Sequence, residues 1–156
     1  MRIHLISIGT RMPAWVNDAY HGFTKRLPHE CSLLLREIEA GKRGKNTDIK
    51  RLIAAEGERM LAAIPRNALC VALDVEGKQY SSETLASSLT AWMASGDDVA
   101  LLVGGADGLA QSCLQRASLR WSLSQLTLPH MLVRVVLAEQ LYRAWSIGRG
   151  LPYHRG

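Results

Sequence analysis

The residues able to do chemistry fall in a few segments of this 156-residue chain. Gly104-Gly105-Ala106-Asp107-Gly108 follows the apolar run Val99 to Val103. Glycine has no Cβ and tolerates left-handed dihedrals, so this cluster either lets a ligand approach the backbone or makes a tight strand-to-helix turn. It is not a dinucleotide fingerprint, which needs G-x-G-x-x-G after an early strand and an acidic residue about 20 positions on. No Lys-Ser or Lys-Thr follows the glycines, so phosphate cradling is disfavoured as well. A second segment, Trp121-Ser122-Leu123-Ser124-Gln125-Leu126-Thr127-Leu128-Pro129-His130, is uncharged through Pro129 and alternates apolar with small polar residues. Such a loop can offer backbone N–H and C=O groups to an adenine edge while its leucines sandwich the faces. The plainer reading is an edge strand joined to a helix cap at Thr127. Leu73-Asp74, at the end of a third apolar run, completes the set.

The catalytic inventory is otherwise thin. There is no G-x-S-x-G elbow and no H-E-x-x-H or other paired metal-ligand spacing. Cys31, Cys70 and Cys113 are about forty residues apart with no C-x-x-C pair, which fits small core residues better than a disulfide or zinc framework. His4 reads as a strand residue, His21 as a helix-face residue, and His29 as a solvated turn residue. Glu139 and Arg143 form an i,i+4 pair, ordinarily a mild surface salt bridge. Lys42-Arg43-Gly44-Lys45 and the stretch Arg149 to Arg155 are basic enough to contact phosphates; a solvated loop and a frayed tail are the ordinary alternatives.

The elements that position these segments alternate along the chain. Arg2 to Ile8 reads as a buried strand ended by Gly9-Thr10. Pro13 opens a helix with Trp15, Ala19 and Phe23 inward, stopped at Leu27-Pro28. Ser32 to Ile38 is a second strand, and a helix capped by Thr47 or Asp48 carries Ile49, Leu52, Ile53, Met60, Leu61 and Ile64 at helical spacing, weakened by Gly57. Leu69 to Val75 is a third strand broken at Glu76-Gly77. A helix capped at Ser81 or Ser82 turns Leu85, Leu89, Trp92 and Met93 to one face. Val99 to Val103, a short helix to about Ala117, a strand-like piece at Leu119 to Leu123 and a last helix from Pro129 complete the order. That last helix has an apolar stripe of Val133, Val136, Leu137, Leu141, Ala144 and Trp145. Strands alternating with helices predict an α/β fold, a parallel sheet with helices on both faces, in which ligands sit beyond the carboxyl ends of the strands.

Composition bounds the class. Hydrophobic residues make up 47% and charged ones 21%, which excludes a disordered or low-complexity chain. At roughly 150 residues per domain, residues 1–156 read as a single domain. The formal net charge of +5 suits a partner with phosphates without requiring one. No run reaches the roughly 18 apolar residues of a spanning helix, and the N-terminus lacks a secretory pattern. The expectation is a cytoplasmic protein without membrane or metal.

Taken together, the Gly41-to-Asn46 loop, Leu101-Leu102-Val103-Gly104-Gly105-Ala106-Asp107-Gly108, Ser122 to His130, Glu139-Gln140-Leu141-Tyr142-Arg143-Ala144-Trp145-Ser146-Ile147 and Pro152-Tyr153-His154-Arg155 resemble one family over the whole chain. The sequence is similar to the RlmH-type pseudouridine N3-methyltransferases, SPOUT-class enzymes acting on 23S ribosomal RNA. The resemblance implies a C-terminal trefoil knot, a homodimer, S-adenosylmethionine as methyl donor and the assembled ribosome as substrate. It implies donor contacts at Leu73, Gly104, Leu123, Ser124, Gln125, Leu126, Thr127 and Leu128, and a tail from one subunit that completes the other's site. A side chain at Gly104 is then expected to intrude on the donor and leave the fold intact.

The donor's sulfonium makes its methyl group electrophilic, so the chemistry left to the protein is alignment and removal of an imide proton. A base near neutral pKa or an Arg favouring the anion would serve; His154, Arg155, Tyr153 and Arg143 are the candidates. Lys42, Arg43 and Lys45 are the candidate RNA contacts, and the tail is expected to contribute little to stability. Two other readings stay open on the residues alone, a nucleotide-binding oxidoreductase of doubly wound fold and a non-catalytic RNA-binding module.

Overall fold

The computed structural model describes residues 1–155. In chain order they form β1 (Arg2–Ile8), α1 (Ala14–Thr24), β2 (Ser32–Ile38), α2 (Ile49–Ala63), β3 (Leu69–Gln79), α3 (Ser82–Ser95), β4 (Val99–Val103), α4 (Gln111–Arg116), β5 (Leu119–Ser122) and α5 (His130–Gly148), with 3-10 turns at His29–Cys31 and Pro152–Arg155. All five strands run parallel in the order β2-β1-β4-β3-β5. Side-chain alternation sorts the two faces. Ile3 and Leu5 of β1, Val71 of β3 and Val99, Leu101 and Val103 of β4 pack with α1, α3 and α5. Ile6, Ile8, Cys70, Ala100 and Leu102 pack on the other face with α2 and α4. The start of β4 is tied to that of β1 by Asp98, which accepts from Arg2 N–H at 2.9 Å and lies 3.1 Å from His4 Nε2. Among the described residues no helix is long and apolar enough to cross a membrane.

Four local expectations are corrected. In α1 the inward face is Val16 and Tyr20, while Trp15 is 53% exposed: Pro13 is the N-cap, and the helix is rotated by one residue from the expected face. β3 does not stop at Val75. It makes a bulge and resumes, so that Leu73 and Lys78 both stand opposite Trp121 of β5. Gly77 permits this, because a Cβ there would lie 2.7 Å from the Arg120 carbonyl carbon. The α5 stripe is present without Val136: Leu137, Ala138, Leu141 and Ala144 are buried along one side with Val133 and Trp145 packed beside them, and the polar Arg134 and Ser146 are buried as well.

The tail, fourth, does not fray. Leu151 N–H donates to Ser146 C=O at 2.9 Å after Gly150 turns the chain at φ +66°. Tyr153 OH then donates to Glu139 Oε1 at 3.0 Å, and Arg143 lies over the Tyr153 ring at 4.9 Å. The Tyr142 ring meets that of Tyr153 edge-on, with centroids 4.7 Å apart.

Gly57, which weakens α2 as an isolated helix, is buried against α4: a Cβ there would collide with the Cβ of Ala110. Gly22, inside α1, has nothing within 4 Å of the same position. The two glycines should answer the same substitution with opposite signs. Gly22→Ala is expected to stabilise by about 0.5–1 kcal/mol, and Gly57→Ala to destabilise by about 1–2 kcal/mol through forced separation of α2 and α4. Urea unfolding of the two variants measures both.

Candidate functional site

The ends of β3, β4 and β5 enclose a cavity of about 350 Å³. Its walls come from Leu73 to Val75, from Val103 and the 104–108 turn, from Trp121 to Ser124 and Leu126 to Leu128, and from His130 and Val133 at the start of α5. This is where a parallel sheet leaves a crevice, because neighbouring strand ends diverge into loops that leave in different directions. Seven of the eight expected donor residues line it; Gln125 does not.

The 123–128 segment holds its shape with two local hydroxyl contacts. Ser122 Oγ donates to Ser124 C=O at 3.0 Å, and Leu126 N–H donates to Ser124 Oγ at 2.9 Å. Among the described residues these are the hydrogen bonds made by its backbone, so most of its N–H and C=O groups remain open beside an apolar wall. Asp74 is the one carboxylate on the lining; it accepts from Glu76 N–H at 3.2 Å and lies 3.8 Å from Arg120.

Gly104 is glycine for a different reason from the one expected. A Cβ there would stand 2.5 Å from the Gly108 carbonyl carbon and 2.8 Å from Leu109 N, because the turn folds back on itself with Gly108 N–H donating to Gly105 C=O. The chain's own backbone, rather than a ligand, excludes the side chain.

The basic loop is also rearranged. Lys42 and Lys45 are exposed. Arg43 is exposed too but engaged, with Nε 2.7 Å from Asp107 Oδ2 and Nη1 and Nη2 both 3.3 Å from the buried Glu56 carboxylate. Those hydrogen bonds hold its guanidinium pKa above the usual value. Gly41 N–H donates to the same Glu56 at 2.9 Å. Arg43 is thus a clasp between this loop, α2 and the 104–108 turn, not a free phosphate contact, and the expectation of three available cations is corrected to two.

Arg143, Tyr153, His154 and Arg155 gather at the far end of α5. Arg143 is thirteen residues beyond His130, about 20 Å along the helix, and none of the four lines the cavity. They are nonetheless ordered. Glu139 receives Arg143 and Tyr153, and His154 Nδ1 donates to Leu151 C=O at 2.7 Å. Burial first, then the Glu139 carboxylate, raises the Tyr153 phenol above its ordinary value, so it acts as a donor at neutral pH.

Two residues escaped the sequence reading. Arg134 has no exposed surface and sends Nη1 to Glu37 at 3.0 Å and Nη2 to Gly9 C=O at 3.2 Å and Ser7 Oγ at 3.4 Å. A lone Arg in an apolar stretch carries no pattern that marks it as buried. His130 lines the cavity one turn before it, and its only signal was its place behind Pro129 at the start of a helix.

Comparison with known proteins gives a consistent picture. A family described as "Predicted SPOUT methyltransferase" matches residues 1–154. A protein of Thioalkalivibrio sulfidiphilus called ribosomal RNA large subunit methyltransferase H is 61% identical over 155 residues, covering 99% of both chains. Its namesake in Methylococcus capsulatus is 56% identical, covering 99% of this chain and 100% of that one. Among solved structures, a probable methylase family protein of Haemophilus influenzae shares the fold with a TM-score of 0.55 at 12% identity. That match covers 97% of this chain and 69% of the other.

Because the turn at 104–108 is closed on itself, Gly104→Val is expected to lower stability by about 2 kcal/mol or more, in addition to any effect on binding. Arg43→Ala should cost about 1–2 kcal/mol and speed amide exchange at residues 41–47. Denaturant titration and hydrogen exchange measure these outcomes.

Proposed function

This chain belongs to the SPOUT methyltransferases, and from that premise we propose that it is a single-domain enzyme that transfers a methyl group from S-adenosylmethionine to N3 of a pseudouridine in 23S ribosomal RNA. The observation that carries the reading is the cavity of about 350 Å³ whose apolar walls stand beside the open backbone of residues 123–128. That volume lies within the roughly 300–1,000 Å³ of small-molecule sites. An adenine fits such a slot: Leu73, Leu123 and Leu128 cover its faces, and the free N–H and C=O groups of 123–128 meet its edge. Asp74 supplies a negative charge toward the donor's cationic end. When bound, the donor supplies an electrophilic methyl carbon on sulfur.

The protein must then bring the nucleotide nitrogen into line with that carbon and deal with its proton. Arg143, Tyr153, His154 and Arg155 are the groups for a base and a developing anion, but within one chain they lie a helix length from the cavity. A homodimer in which each tail reaches the partner's cavity removes that separation, and this is why we favour a shared site. Lys42 and Lys45, on the loop beyond β2, face the phosphate backbone; Arg43 holds the loop that presents them. The chain passes from β5 at the edge of the sheet to α5, which packs between α1 and α3 and over β1. Such a return past the 104–108 turn supports the C-terminal trefoil knot. The substrate is the assembled ribosome and the compartment the cytoplasm. The uncharged 123–128 segment disfavours an oxidoreductase, which would have to hold a dinucleotide pyrophosphate.

Donor binding is the direct test. At about 100 times its dissociation constant S-adenosylmethionine stabilises a protein by roughly 2.7 kcal/mol, so the melting temperature should rise with the donor or its demethylated product and not with NAD. A rise with NAD alone overturns the reading. Methyl transfer should proceed on ribosomes and fall on free RNA. Replacing Lys42 and Lys45 by Ser should lower the salt slope of RNA binding by about 1.4–1.8.

Deleting residues 152–156 should abolish transfer while costing only about 1–2 kcal/mol of stability through the lost Tyr153 contacts. Mixing that variant with a cavity-filling one, Thr127→Trp, should return activity once subunit exchange is shown by mass. Exchange without recovered activity excludes the shared site.

A further inference from the structure

The first turn of α5 carries a side chain to which the methyl-transfer reading assigns no role. His130 lines the cavity beside the 104–108 turn, half-buried, and shares the lining with one other titratable group, Asp74. Asp74 is already engaged by Arg120 and by Glu76 N–H. Behind the imidazole stands Gly9, whose own Cβ would fall 3.2 Å from His130 Nε2 and 2.9 Å from Met12 Cε. Gly9 has φ +113°, so the loop after β1 both requires a glycine and leaves the ring its space. Two guanidinium groups also act on this ring through their charge. Arg134, one turn along α5, is fixed by Glu37, Ser7 and Gly9 C=O, and Arg43 is fixed by Glu56 and Asp107. Neither cation can swing away without leaving a carboxylate behind, so both act on His130 as permanent charges.

We propose that His130, and not a residue of the tail, is the catalytic base of this site, its neutral imidazole taking the N–H proton of the nucleotide nitrogen as that nitrogen is methylated, while the cations of the tail favour the developing anion. The inference rests on the methyl-transfer reading above. The N–H bond breaks and its proton goes to the imidazole. The electron pair left on nitrogen enters the new N–C bond, and the carbon–sulfur pair stays with sulfur, which loses its positive charge. The imidazolium returns the proton to solvent.

A neutral ring is needed twice: a protonated one has no lone pair to offer, and it would repel the donor's sulfonium. Burial first, then Arg134 and Arg43, hold the imidazole below its ordinary range, so at neutral pH it is ready to accept. The carboxylates around it oppose this only at a remove. Glu37 is bound to Arg134, Glu56 and Asp107 to Arg43, and Asp74 to Arg120. The buried Arg134 thereby gains a functional reason as well as a structural one.

Three measurements test this. Proton NMR titration of the unliganded protein should place the His130 midpoint below the ordinary imidazole value of about 6.5, and Arg43→Gln should move it upward. Single-turnover methyl transfer should fall on the acid side through the same midpoint, and Arg43→Gln should move that limb upward as well. His130→Gln should bind S-adenosylmethionine within about threefold of wild type by calorimetry, lose roughly 100- to 10,000-fold in rate, lose the acid limb, and recover in part with added imidazole.

A His130→Gln enzyme within threefold of the normal rate, or one keeping the acid limb, overturns the proposal. So does a loss of donor binding equal to the loss of rate, or an NMR midpoint for His130 at or above about 6.5. If wild-type protein binds no donor, the methyl-transfer reading fails, and the base role fails with it. If the donor binds and only the His130 results disagree, the methyl-transfer reading stands and this inference alone is lost.

Discussion

A guanidinium with no exposure to solvent has to find acceptors for its donors inside the protein, and the cost of failing is several kcal/mol. Arg134 finds three of them on two strands: the Glu37 carboxylate near the end of β2, and Ser7 Oγ and Gly9 C=O at the end of β1. This fixes α5 against the carboxyl edge of the sheet at one depth and one rotation. A shift of one residue along α5 would leave a buried cation and break all three bonds. The placement of His130 and Val133 in the cavity wall follows from this anchor.

The second fixed point is the Arg43 clasp. It joins the loop after β2, the buried Glu56 of α2 and Asp107 of the turn after β4. Arg134 and Arg43 both act through their charge on the His130 imidazole of the cavity wall, each tied to its own acceptors. The lining itself is apolar apart from backbone groups, three small hydroxyl side chains, one carboxylate and one imidazole. Lys42 and Lys45, exposed on the same loop as Arg43, lie outside it.

Much of this was legible in the residues. β4 is a continuous apolar run and β1 and β2 are rich in Ile and Leu, and the boundaries of all three agree with the sequence to the residue. The three segments at strand ends were placed by the general geometry of parallel sheets, and they do form one cavity. Local signals failed where tertiary contact decides. Glu76-Gly77 has the look of a turn, yet β5 supplies a partner that carries β3 through it. Trp15 looks like a core residue by type, but Val16 and Tyr20 fill the space beneath α1. Arg43 sits in a loop that reads as solvated, and nothing near it in sequence reveals Glu56 or Asp107. Gly104 was marked as a special position with two possible causes, and sequence does not show that the backbone of Gly108 and Leu109 is what approaches it.

The strand order has a consequence for biosynthesis. β1 lies inside the sheet, and its neighbour on one side is β4, with Ile3 beside Val99. During translation at roughly 5–20 residues per second, about 5–20 s separate the emergence of those two partners. For that interval Ile3, Leu5, Ile6 and Ile8 have β2 on one edge and bare amide groups on the other, an open invitation to pair with a neighbouring nascent chain. The polarity of the neighbouring segments offers some relief, for the α2 stretch that emerges meanwhile carries Lys50, Arg51, Glu56, Glu58 and Arg59. A message carrying several ribosomes in tandem would hold many such half-finished sheets close together, and slower elongation before codon 99 would lengthen their exposure.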